Sequence, residues 1–171
     1  LTRKKIKAED VREILNRDYP IEVLRKYPDR FYWFPCHLGP QVTNHMQMAR
    51  ENLELGAAGF KVVPSFWGEL PDDPRLMKIY ALARDYGAQI MIDTSFWYLG
   101  KGVNWLEADQ LPEGHREVAK RVTDLDDYLA HLRTAVRSFP TVNFLLAHAG
   151  AVDFTPENMR TIGSFIREHA N

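Results

Sequence analysis

An α/β fold built from parallel strand–helix units is what the sequence predicts, and three observations predict it. Short apolar runs alternate along the chain with helical patterns. The starts of successive runs lie roughly thirty to fifty residues apart, the spacing of βαβ units. Each run is nearly continuous in apolar residues, as for parallel strands covered on both faces. Two architectures satisfy this pattern: a doubly wound open sheet and part of a (β/α)8 barrel. No strand is followed by G-x-G-x-x-G or G-x-x-x-x-G-K, so the dinucleotide and P-loop readings lose support.

Taken in order, Ala8 to Tyr27 reads as helix, with Val11, Ile14 and Leu15 at helical spacing and Pro20 dividing it in two. Pro28-Asp29 signals a turn. The aromatic run Phe31-Tyr32-Trp33-Phe34 reads as a first buried strand, ending in the loop Pro35–Pro40. Val42 to Leu55 is helical, with Met46, Ala49 and Leu53 on one stripe, and Gly56 to Gly59 closes it. Phe60 to Pro64 is the second strand, followed by a loop that holds Trp67. Arg75 to Tyr86 is a helix that turns Leu76, Ile79, Tyr80 and Ala83 inward and stops at Gly87. Gln89 to Thr94 is the third strand. Ser95 to Val118 is a long insertion rich in Trp, Gly, Pro and Asp, a length usual for functional lids. Its aromatics, among them Phe96, Trp97 and Trp105, argue for order. Thr123 to Arg137 is a helix with the stripe Leu125, Tyr128, Leu129, Leu132 and Val136. Val142 to His148 is the fourth strand, Ala149-Gly150 turns, and Thr155-Pro156-Glu157 opens the last helix with a cap and a first-turn Pro.

Composition narrows the function classes. With 171 residues, 45% hydrophobic and 26% charged, the chain suits one globular segment over 1–171 with a sizeable core. A net charge of −1 supplies no field for nucleic acid or an anionic membrane. No apolar run approaches the ~20 residues of a membrane span. The N-terminal Arg3-Lys4-Lys5-Ile6-Lys7 lacks the apolar segment of a signal peptide and reads as a solvated lead-in to a helix. The one cysteine, Cys36, excludes an internal disulfide and a Cys-based zinc site, and suits a reducing compartment such as the cytoplasm.

Parallel α/β folds place their chemistry at the carboxyl ends of the strands. His37, Lys61 with Ser65, Asp93 with Thr94, and His148 fall there. Asp93 follows Ile90-Met91-Ile92, where a buried carboxylate costs several kcal/mol unless it is paired or ligating. It reads as metal ligand, general base or orienter of a His, against a capper of loop amides. His148 follows Leu145-Leu146-Ala147 and reads as an acid/base group or ligand, against a satisfied core histidine. His37 is a substrate-side candidate whose strand parity is blurred by Pro35. Lys61 could orient a substrate carboxylate, against a stem that lies along the sheet with its ammonium at the rim. Cys36 beside His37 has a nucleophile reading, against an inert lone cysteine. Trp67 and Trp97 could wall a pocket for a flat substrate. His45, His115, His131 and His169 have no ligand-like spacing and read as surface.

These pieces together resemble a family. Tyr27-Pro28-Asp29-Arg30-Phe31 before an apolar strand, Gly59-Phe60-Lys61-Val62-Val63-Pro64, Asp73-Pro74-Arg75-Leu76 with Ile79-Tyr80, and Phe139-Pro140 through Ala147-His148-Ala149-Gly150 resemble, in order, segments of the amidohydrolase-related, metal-dependent hydrolases of TIM-barrel fold. The resemblance implies a (β/α)8 barrel binding one divalent metal, zinc or manganese, and acting as hydrolase or decarboxylase on a small, aromatic or carboxylate-bearing molecule. It makes the four strands the third to sixth of the barrel, so the chain is expected to be a half-barrel incomplete at both ends. His148 falls on the family's sixth-strand acid/base or polarising His. Asp93 falls where the fifth strand carries a metal-binding His, and as a carboxylate it is expected to ligate the metal or to orient His148. The H-x-H pair of the first strand and the Asp of the eighth have no counterpart here. The resulting expectation is an amidohydrolase-like enzyme, with Ser95–Val118 as a lid. The alternative is a non-catalytic, truncated half-barrel. An open parallel sheet exposes edges and an apolar face, so a homo-oligomer is expected.

Overall fold

The computed structural model describes residues 18–37, 42–94, 116, 118, 120–122, 124–150 and 155–169. The first half of the predicted opening helix, Trp97 and nearly all of the 95–118 insertion lie outside them. The chain divides into two units, Leu1–Trp33 and Phe34–Asn171. In the first, helix α1 (Asp18–Lys26) carries Arg25 and Lys26 in its last turn, where positive charge complements the helix dipole. A turn follows, closed by Arg30 N–H donating to Tyr27 O at 3.1 Å, as Pro28-Asp29 predicts.

The second unit is a parallel sheet with helices. Its strands are β1 (Gly59–Val62), β2 (Gln89–Ile92) and β3 (Phe144–Leu146), adjacent in chain order. Register pairs Gly59 with Gln89, Lys61 with Met91 and Met91 with Leu145. The backbones of β1 and β2 approach closely at Gly59, where a Cβ would run into the Gln89 carbonyl and the Phe34 ring. Only glycine fits there.

Helix α2 (His45–Glu54) buries Ala49 and Leu53. A single helical turn, α3 (Pro64–Trp67), follows β1. Helix α4 (Pro74–Tyr86) begins at an Asp73 cap that accepts from Arg75 N–H, has Pro74 in its first turn, and ends at Gly87 with φ 64°. Glycine takes that left-handed conformation at little cost. Helix α5 (Leu125–Ser138) is capped by Asp124, whose carboxylate accepts from Asp127 N–H. Helix α6 (Pro156–His169) is capped by Thr155, whose Oγ1 accepts from Asn158 N–H at 3.2 Å. The inward residues predicted for α4 are all buried. Those predicted for α5 are buried too, except Val136, which is half-buried, while Ala135 takes an inward place.

Strand side chains alternate between two faces. Phe60, Val62, Ile90 and Ile92 are essentially sealed, and on their face the Tyr80 ring of α4 meets Phe144 edge-on at 5.3 Å. Lys61, Met91 and Leu145 share the other face, where Leu145 is 39% exposed. Coverage on both faces, expected from the apolar strands, therefore does not hold for the described residues: the helices seal one face and leave the other open.

The predicted first strand is corrected as well. Phe31 and Tyr32 are exposed, at 51% and 82%, and pairing begins only beyond them. Cys36 forms an isolated parallel bridge with Lys61, with Lys61 N–H donating to Pro35 O at 3.0 Å and His37 N–H to Lys61 O at 2.8 Å. Pro35 has no N–H to give a ladder, so the pairing stays a bridge. No described helix is long and apolar enough to cross a membrane.

Candidate active site

Asp93 is the first residue after β2, and its backbone is held on both sides. Its N–H donates to Val62 O at 2.8 Å, and its carbonyl accepts from the buried Tyr128 hydroxyl of α5 at 2.9 Å. Two residues beyond Met91, its side chain lies on the open face. One carboxylate oxygen, Oδ2, accepts from Lys61 Nζ at 3.0 Å and from His148 Nε2 at 3.1 Å. Asp93 is buried, with 9% of its side chain exposed against 22% for Lys61 and 61% for His148. One buried carboxylate thus joins an ammonium on the neighbouring strand to an imidazole that faces outward.

Each partner is placed by its backbone. Lys61 stands beside Met91 in register, and its flexible stem spans the short advance to Asp93. His148 belongs to a 3-10 turn, Ala147–Gly150, directly after β3. The fourth strand therefore stops at Leu146, two residues before His148. His148 has φ 54°, a left-handed conformation that is uncommon outside glycine, asparagine, aspartate and histidine. Such conformations persist where surrounding structure enforces them, often at functional sites.

The other predicted residues fall elsewhere. Cys36, bridged to Lys61, belongs to the same row on the open face. Partial burial of its thiol pushes its pKa up; Lys61 pulls it down and Asp93 pushes it up. His37, one residue on, alternates to the helix side. It is buried, its ring meets His45 edge-on at 5.5 Å, and it does not join the Asp93 group. Burial, reinforced by His45, holds its pKa down to about 4, so it is neutral near pH 7. Trp67 sits on α3, after β1, and Thr94 is buried with Oγ1 lacking a hydrogen bond. His45, His131 and His169, read as surface residues, are half-buried.

Sequence reasoning missed a second polar group on the helix side. Glu69, read as loop, is 1% exposed. Its nearest charge is Arg75 Nη2 at 3.4 Å, and neither carboxylate oxygen has a hydrogen bond. Burial pushes its pKa up to about 7, against the smaller pull of Arg75. Close by, His131 Nδ1 sits 2.9 Å from both oxygens of Asp72. The signal was present in Gly68-Glu69-Leu70-Pro71, an acid flanked by an apolar residue and breakers, but nothing local tells a buried acid from a solvated one.

The divalent ion implied by the family resemblance does not fit the described residues. Such an ion needs several oxygen, nitrogen or sulfur donors converging on one point. Among the described residues no three His, Cys, Asp or Glu side chains do so. At Asp93 an ammonium already occupies the carboxylate, and it would repel a second cation.

Comparison with known proteins agrees with this architecture. No curated protein matches the sequence significantly. Among solved structures, an uncharacterised TIM-barrel protein from Bordetella bronchiseptica is similar at 19% identity and a TM-score of 0.57, over 88% of this chain and 45% of that one. The chain thus spans less than half the length of that barrel, and its three-stranded parallel sheet with helices is an α/β fold matching a partial barrel. The family model described as amidohydrolase matches residues 2–171. The chain belongs to the amidohydrolase family.

Proposed function

We propose that the strand ends on the open face carry the proton-handling part of a hydrolase or decarboxylase site for a small, aromatic or carboxylate-bearing molecule. The observation that carries this reading is the 3.1 Å contact between His148 Nε2 and Asp93 Oδ2, with the imidazole exposed and the carboxylate buried. A carboxylate beside an ammonium is an acceptor only, so Nε2 carries the hydrogen and Nδ1 holds the lone pair. Nδ1 takes a proton from water or substrate, and the imidazolium so formed rests against Asp93. It then returns the proton to the leaving group in a hydrolysis, or delivers it to the carbon that loses CO2 in a decarboxylation. Groups in this role contribute about 10²–10⁴-fold to rate. The family is typically metal-dependent, and these proton transfers use only His148 and Asp93. The free thiol of Cys36 suits a reducing, cytoplasmic setting.

The test is turnover of a panel of small amides, lactones and aromatic carboxylic acids by the protein and by His148→Ala. The expected result is activity on at least one class, reduced at least ~100-fold in the variant. Equal activity in both would overturn the reading. A second reading, a self-associating non-catalytic half-barrel, draws support from exposed Leu145 on the open face. Light scattering checks it: it predicts a dimer or larger assembly and no turnover on any class.

A further inference from the structure

The geometry points to Lys61 as a positioning residue that takes the place of a cation at Asp93, fixing the His148 tautomer and keeping divalent metals off the carboxylate. This rests on the proposed role of His148. Lys61 Nζ and His148 Nε2 lie 3.0 and 3.1 Å from the same oxygen, Asp93 Oδ2. Two donors converge on one oxygen and one of them is an ammonium, an arrangement that favours an ionised acceptor there. Without Lys61, Asp93 Oδ2 would lose the donor that shares it with His148 Nε2. The imidazole would then be held less firmly in the Nε2–H form and could place its hydrogen on Nδ1.

The ammonium also meets the charge requirement that a divalent ion would otherwise meet. Lys61 is placed by the sheet register rather than by chance: it pairs with Cys36 on one side and Met91 on the other. Its side chain is largely enclosed, so the ion pair is screened less by solvent than a surface pair.

Two measurements on the whole chain test this, and neither depends on turnover. In the first, protein dialysed against zinc or manganese is assayed for metal per chain, alongside Asp93→Asn. The expected result is no metal that depends on Asp93. One equivalent in the unaltered protein, lost in Asp93→Asn, would overturn the inference. In the second, nitrogen-15 NMR at fixed pH reads the His148 tautomer. We expect the Nε2–H form in the unaltered protein and in Lys61→Arg, which keeps the charge, and a shift toward the Nδ1–H form in Lys61→Met. The Nδ1–H form in the unaltered protein, or the same signature in Lys61→Met, would overturn it. Failure of every substrate in the panel, with both readouts as expected, would sink the proposed activity and leave the role of Lys61 standing.

Discussion

Asp93 and Glu69 are both buried carboxylates in the same unit, and they differ in what surrounds them. On the open face Asp93 Oδ2 has Lys61 and His148 within 3.1 Å. On the helix side Glu69 has one guanidinium at 3.4 Å and no hydrogen bond. Burial penalises the ionised form of either acid. Asp93 has two hydrogen-bonding partners; Glu69 has none, and its pKa moves to about 7. His37 is the basic counterpart on the helix side: buried, edge-on to His45 and held neutral by a pKa of about 4. The open face therefore pairs its carboxylate, and the helix side disfavours the charged forms of Glu69 and His37. The proposed proton transfer belongs to the first region.

The largest expected effect comes from removing the two helix-side groups one at a time. Glu69 has a folded pKa raised from 4.5 to about 7, so the stability it contributes is full below pH 4.5 and is lost as pH rises through 7. His37 is lowered from 6.5 to about 4, so its contribution is full above 6.5 and is lost as pH falls through 4. Each shift corresponds to up to about 3 kcal/mol, and the two slopes oppose each other. Urea unfolding of the unaltered protein should show nearly flat stability across this window. Glu69→Gln should become less stable toward acid, and His37→Phe less stable toward neutral pH. A flat profile in both variants would mean that the helix side does not hold these groups neutral.

A smaller effect sharpens the other side of the comparison. Lys61→Met leaves the buried Asp93 charge with one partner fewer and should cost about 1–3 kcal/mol in chemical denaturation. Lys61→Arg should cost less. Smallest is the loss of the Asp124 cap on α5, where Asp124→Ala should cost about 1 kcal/mol in chemical denaturation.

Much of this was legible in the sequence. Helical periodicity, the Gly87 stop and the Thr155 cap are local signals, and they located α4, α5 and α6 within a few residues. The strand-end rule brought Asp93, Lys61 and His148 forward together, because a polar residue closing an apolar run needs a reason. What stayed hidden depends on long-range facts. The parity of His37 is decided by the Cys36–Lys61 bridge. The burial of Glu69 is decided by how the segment before α4 folds against its neighbours. The aromatic run Phe31–Phe34 has strand propensity, but such propensity depends on a neighbouring strand to pack against.

The central claim is that the chemistry lies at the partnered carboxylate, and one measurement tests it most directly. It is the kcat/KM of Asp93→Asn and of Glu69→Gln on whichever substrate class the panel identifies, at a pH where both variants are folded. The account predicts a loss of at least ~100-fold for Asp93→Asn. It predicts a change within about threefold for Glu69→Gln, the size of an effect away from the site. Equal losses in the two variants, or a loss in Glu69→Gln alone, would contradict it.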